Sequence, residues 1–61
     1  MTLQEHLRNL GVTEDQVKEC FNCEEAVIDE YGDIWIERPQ SGHWLRDHEY
    51  ESLVKFVEAR L

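Results

Sequence analysis

The stretch AVIDEYGDIWIER, residues 26–38, decides the fold of this chain. Two runs rich in β-branched residues, 27–28 and 34–36, flank a polar segment that contains one glycine. This arrangement is typical of two strands joined by a tight loop. We therefore predict an antiparallel hairpin whose three-residue loop spans residues 31–33.

The hairpin register predicts which side chains share a face of the sheet. A loop at residues 31–33 places Ile28 opposite Ile36 and Ala26 opposite Arg38. A shift of one residue would scatter the apolar face. The isoleucines at 28, 34 and 36 then share one face. The other face carries Val27, Asp29, Trp35 and Glu37. If no helix covers that second face, Trp35 is an exposed aromatic residue among acids, which is typical of an interface anchor.

Three amphipathic segments flank the hairpin, and each carries a helix start signal. The first, over residues 3–9, begins with a capping box and ends at a glycine. The second, over residues 14–23, also begins with a capping box. The third, over residues 48–60, has Asp47 as a good N-cap. Apolar residues recur at helical spacing in all three segments.

The segment between the hairpin and the last helix contains a proline and a glycine. Pro39 ends the second strand because it cannot donate to a ladder. We predict a turn over residues 40–42, and residues 43–46 form either a short third strand or an extended lead-in. The element order α-α-β-β-(β)-α predicts one small acidic α+β domain over residues 1–61. Its antiparallel hairpin or three-stranded sheet packs against helices.

The charge of the chain is concentrated in its middle. The 61 residues include 14 acids and 6 Lys or Arg, a net charge of −8. Nine of the acids lie between residues 14 and 37, where Lys18 is the single base. Phosphate contacts require Lys and Arg clusters, so we expect no direct binding to nucleic acid and none to an anionic membrane. A basic surface on a partner protein is the expected target.

Several of these acids stand where they weaken the fold. Glu24 and Glu25 lie at the negative end of the second helix, which is unfavourable by about 0.3–1 kcal/mol each. The simpler alternative to a binding role is a solvated acidic surface, but it explains only part of this pattern. The predicted partner-binding residues are Glu19, Glu24, Glu25, Asp29, Glu30, Asp33, Trp35 and Glu37.

Carboxylates arrayed on a rigid scaffold can imitate a phosphate backbone. The most specific form of the hypothesis is therefore a nucleic-acid-mimicking inhibitor of a nucleic-acid-binding enzyme. Phages deploy such inhibitors against restriction or CRISPR systems. A different class of function is a zinc-stabilised or thiol-redox mini-domain that uses the C-x-x-C motif Cys20–Cys23.

The zinc alternative would need His43 and His48 as further ligands, because a closed zinc site has four. The spacing of the two histidines is suitable, but the gap between Cys23 and His43 is longer than in usual zinc fingers. Cys20 also belongs to the inward stripe of its helix. We therefore prefer buried structural thiols and expect no metal and no cofactor.

No motif for catalysis is present. Ser41, His43 and His48 lack a nucleophile elbow or a glycine-rich loop, so we predict no enzymatic activity and no catalytic residues. No apolar run is as long as a membrane span, and the first residues lack the apolar region of a signal peptide. These features favour a cytoplasmic protein. Its small size leaves a self-associating structural domain, a homodimer, as a further hypothesis.

Overall fold

The computed structural model describes residues 2–61, and the chain forms three helices and three strands over that range. The strands make one antiparallel sheet in the order β1-β2-β3. This arrangement confirms the predicted α+β architecture with a third strand. The elements are α1 (Leu3–Leu10), α2 (Glu14–Phe21), β1 (Glu25–Ile28), β2 (Ile34–Arg38), β3 (Ser41–Trp44) and α3 (Asp47–Glu58).

The first two helices begin as predicted. The Thr2 and Thr13 hydroxyls each accept a hydrogen bond from the amide three residues later, which completes a capping box in both helices. Gly11 caps the end of α1 in the left-handed conformation at φ 79°, as predicted, and the helix itself ends at Leu10, one residue later than predicted. The predicted end of α2 at residue 23 is wrong, because Asn22 turns left-handed at φ 53° and stops the helix after Phe21.

The start of α3 differs from its prediction by one residue. Arg46, not Asp47, is the N-cap, and Asp47 is the first residue of the helix. The Glu49 carboxylate explains this start, because it accepts a hydrogen bond from the Arg46 amide at 2.9 Å. The helix ends at Glu58, two residues before the predicted end.

The predicted register of the hairpin is wrong by two residues. Ile28 pairs with Ile34, and Ala26 pairs with Ile36, whereas Ile28 was expected opposite Ile36 and Ala26 opposite Arg38. A shift of two preserves the alternation of a strand, so the isoleucines still share one face. The predicted division of side chains between the two faces is therefore unchanged.

Asp29 is the physical reason for the different register. One of its carboxylate oxygens accepts hydrogen bonds from the Tyr31 amide at 2.9 Å and the Asp33 amide at 2.8 Å. The Asp29 amide also donates to the Asp33 carbonyl at 2.9 Å. The loop therefore spans residues 30–32, and Gly32 takes its left-handed position at φ 87°.

The connection between β2 and β3 is shorter than predicted. The second strand ends at Arg38, so Pro39 does terminate it, and β3 begins at Ser41. Gly42 pairs with Glu37 inside the third strand, so the predicted turn over residues 40–42 is wrong in its second half. Two residues suffice for the connection because the strands are antiparallel neighbours.

One hydrophobic core joins the helices to a single face of the sheet. Its buried residues are Leu7, Val17, Cys23, Ala26, Ile34, Ile36, Leu45, Tyr50, Leu53 and Val57. The Tyr50 hydroxyl accepts a hydrogen bond from the Ile34 amide at 3.1 Å, which ties α3 to β2. Burial raises the pKa of Tyr50, although this hydrogen bond opposes the change. None of the helices within residues 2–61 is long and apolar enough to cross a membrane.

Candidate protein-binding face

The second face of the sheet, turned away from the core, is the candidate site. One row of paired residues across the three strands is Val27, Trp35 and Trp44, and the next is Glu25, Glu37 and Gly42. We call these six residues the outer face. Val27 is 49% exposed and Trp44 is 52% exposed, while Trp35 is half-buried. An apolar strip with two indoles therefore lies open on the surface.

The two tryptophans of the outer face contact each other. Their ring centroids are 5.4 Å apart and their planes meet at 77°, an edge-to-face geometry that aromatic pairs favour. A Cβ at Gly42 would lie 2.7 Å from Cζ2 of Trp35. The Trp35 indole therefore lies directly against the backbone of Gly42, in space that only glycine leaves open. This contact holds the Trp35 ring against the outer face of the sheet.

Two glutamates of the outer face border this aromatic pair, and Glu24 precedes one of them in the chain. Glu25 faces Glu37 across the ladder, and the Glu24 amide donates to the Glu37 carbonyl at 3.0 Å. Two residues of one chain segment thus face a single residue of β2, as in a β-bulge. None of the ion pairs found within residues 2–61 involves these three carboxylates. The cross-strand repulsion between Glu25 and Glu37 is therefore left uncompensated in that part of the chain.

The other predicted binding residues lie elsewhere. Asp29 and Asp33 organise the hairpin loop, and the Asp33 carboxylate also accepts from the Gln4 side chain at 3.4 Å. Glu30 is exposed at the tip of that loop, where the Arg8 guanidinium donates to its carbonyl. Glu19 belongs to α2, and its carboxylate lies 3.9 Å from the Arg60 guanidinium. The structure brings together Glu24, Glu25, Trp35 and Glu37, but not these four acids.

Trp44 and Gly42 belong to the outer face but were not among the predicted site residues. Gly42 was assigned to the turn over residues 40–42, and Trp44 lies in the segment predicted as either a short third strand or an extended lead-in. The sequence signal that identifies Gly42 and Trp44 is the Pro39-Gln40 pair, if these two residues are taken as the whole connection between the second and third strands. That reading places Trp44 directly opposite Trp35.

The cysteines and histidines of the zinc alternative occupy different surroundings. Cys23 is buried, Cys20 is half-buried, and both are free thiols. Burial raises the pKa of Cys20, while the nearby Arg60 charge opposes the change. No three His, Cys, Asp or Glu side chains within residues 2–61 come together in a metal-binding group. The four residues of the zinc alternative are thus not assembled in one site over that range.

His43 instead contacts the start of α3. Its Nε2 lies 3.2 Å from each oxygen of the Glu49 carboxylate. Burial alone would raise the pKa of Glu49, but hydrogen bonds from the Arg46 amide and the His43 ring together lower it. This contact ties β3 to α3 and therefore has a structural role.

No protein-family model, curated protein or solved structure matches this chain.

Proposed function

We propose that this chain is a small protein-binding module that presents the outer face to a basic surface on a partner protein. The observation that supports this function is the Trp35–Trp44 pair, open to solvent beside Glu25 and Glu37, whose carboxylates form no ion pair among the described residues 2–61. Aromatic residues with a polar rim are the typical energetic centre of protein interfaces. The proposed role is binding, without catalysis.

The charge of the chain supports a basic partner. A net charge of −8 on 61 residues creates a field that attracts cationic surfaces and accelerates encounter. Glu25 and Glu37 repel each other in the free protein, and a partner cation placed between them would convert this repulsion into attraction. Binding then recovers stability that the isolated domain lacks.

A narrower form of the proposal is an inhibitor that occupies the nucleic-acid site of an enzyme, as anti-restriction and anti-CRISPR proteins do. The carboxylates of Glu24, Glu25 and Glu37 would stand in for phosphates, and the indoles would stand in for bases. A competition experiment separates this inhibitor from the general form of the proposal, because duplex DNA should displace the chain from such an enzyme.

The two free thiols favour a reducing compartment such as the cytoplasm.

A second copy of the chain is a weaker candidate for the occupant of the outer face. Face-to-face pairing would bring two sets of Glu25 and Glu37 together, and like charges disfavour that contact. Sedimentation equilibrium at low and high salt tests this alternative. If the natural chain forms a dimer at low salt and Trp44→Ala does not, self-association would replace partner binding as the proposed function.

Quantitative affinity capture from the native host tests the proposed function. The baits are the natural chain, Trp44→Ala, the double variant Glu25→Gln with Glu37→Gln, and Glu51→Gln. Glu51 is an exposed acid on α3, so its variant controls for loss of charge away from the outer face. Circular dichroism of each bait confirms that it is folded.

We expect one or more proteins with a basic surface to be captured by the natural chain and by Glu51→Gln. The two outer-face baits should lose them. The purified partner must then bind the natural chain directly, more weakly as salt increases. Equal capture by all four baits, or equal loss with the Glu51 control, would contradict the proposed function.

A further inference from the structure

The outer face combines two indoles with adjacent carboxylates, and this combination discriminates among cationic groups. We propose that it recognises an arginine side chain of the partner. The guanidinium stacks on the Trp35–Trp44 pair and donates hydrogen bonds to Glu37 and Glu25. This inference rests on the proposed function and names the chemical group that the partner presents.

The aromatic part of the site suits a planar cation. The indole planes meet at 77°, so the pair forms a corner with two differently oriented ring surfaces. Trp44 is 52% exposed, which leaves much of its surface free for a ligand. A guanidinium is planar and weakly hydrated, and it stacks on aromatic faces more readily than an ammonium group does.

The carboxylates lie within reach of a group stacked there. Glu37 follows Trp35 by two residues in β2, so both side chains lie on the same face of the sheet. Glu25 faces Glu37 directly across the ladder. A guanidinium carries five donors in a rigid fork, so it can bridge two carboxylates while its flat side rests on an indole.

Other cations fit this set of groups less well. A lysine ammonium is a strongly hydrated point charge, which makes stacking on an indole more costly. A trimethylated lysine suits aromatic corners but has no hydrogen to donate to Glu25 or Glu37. A second copy of the chain would bring its own net charge of −8 to the same surface. Arginine uses both the rings and the carboxylates.

Paired synthetic peptides test the inference directly. The probes are two glycine-serine peptides of equal length and charge, one with arginines and the other with lysines at the same positions. Binding to the ¹⁵N-labelled chain is followed by the indole N–H signals, because Trp35 and Trp44 are its two tryptophans. We expect the arginine peptide to shift both indole signals and to bind at least about threefold more tightly than the lysine peptide.

Variants identify the groups responsible for this preference. Trp44→Leu should remove the advantage of arginine over lysine, and Trp44→Phe should restore part of it. Glu37→Gln should weaken the binding of both peptides. Glu51→Gln should weaken each only by the small amount expected from removing one distant charge. The amide spectrum of each variant confirms its fold.

The outcomes separate the inference from the proposed function. Equal affinity for the two peptides, or no shift of the indole signals with either, overturns arginine recognition. If Glu37→Gln still weakens binding in the first case, acidic docking on the outer face stands without arginine selectivity. The proposed function fails on a different result: the outer-face variants capture the partner as well as the natural chain does.

Discussion

Glu25 and Glu37 face each other across β1 and β2 on the side of the sheet opposite the core. Neither forms an ion pair within the part of the chain that the structure describes. Like charges in this position destabilise a sheet. Residues kept at a cost in stability are typical of binding surfaces, where stability and function compete.

Replacing one of the two glutamates should therefore stabilise the free protein. We expect Glu37→Gln to raise the free energy of unfolding by about 0.2–1 kcal/mol, because it removes the cross-strand repulsion. Urea unfolding at low salt measures the change, and the gain should shrink as salt screens the charges. A destabilised variant would show that Glu37 makes a favourable contact in the folded chain.

The two faces of the sheet should respond differently to truncation. Ile36 is fully buried at 0% exposure, so Ile36→Ala should cost about 2–5 kcal/mol, enough to unfold a domain of this size. Trp44→Ala removes an exposed ring and should cost much less. Thermal unfolding followed by circular dichroism compares them. Unfolding by Trp44→Ala with tolerance of Ile36→Ala would reverse the assignment of the faces.

Gly42 should control the position of the Trp35 ring. The methyl group of Gly42→Ala would lie 2.7 Å from Cζ2 of Trp35, so the indole must move away from the strand. We expect altered tryptophan fluorescence and near-ultraviolet circular dichroism, and weaker partner binding, with the far-ultraviolet spectrum retained. Ser41→Ala, at an exposed neighbouring position, is the control. Unchanged tryptophan signals in Gly42→Ala would refute this contact.

Glu49 should make stability depend on pH in acid. Its folded-state pKa lies below the ordinary value of 4.5, because hydrogen bonds from Arg46 and His43 outweigh its burial. The carboxylate therefore contributes stability above that ordinary value, and the contribution is lost as pH falls through the folded-state pKa. Glu49→Gln should cost about 1 kcal/mol at neutral pH, since the charge-assisted hydrogen bonds are lost.

The difference between Glu49→Gln and the natural chain should disappear well below the folded-state pKa, where both side chains are neutral. Urea unfolding across the acid range measures it. Asp47→Asn is a suitable comparison, because Asp47 is an exposed residue of the same helical turn. A difference that stays constant with pH would mean that Glu49 acts through packing alone.

The division of the sheet into two faces could be predicted because it depends only on the alternation of a strand. The isoleucines and Trp35 fall on the expected sides even though the register is shifted by two residues. The register itself depends on Asp29, whose carboxylate holds two loop amides. That hydrogen bonding is a property of the folded loop, and hydrophobic pattern alone does not reveal it.

The acidic part of the candidate site could be predicted only in part. Charge counting treats every acid alike, yet the Asp29 carboxylate holds two loop amides and the Asp33 carboxylate accepts from Gln4. Glu25 and Glu37, in contrast, form no ion pair within residues 2–61. The aromatic part needed the third strand, because Trp44 reaches Trp35 only through the pairing of β2 with β3. Local sequence patterns specify such pairing between strands poorly.

The contact of the outer face with the partner is the central claim, and the most direct test is a footprint of the complex by NMR. The ¹⁵N-labelled chain is titrated with the purified partner obtained by affinity capture. The account predicts that the indole signals of Trp35 and Trp44 and the amides of Val27, Glu37 and Gly42 change most, while amides of α1 and α3 change little. Changes confined to the helices, with both indole signals unaltered, would contradict it.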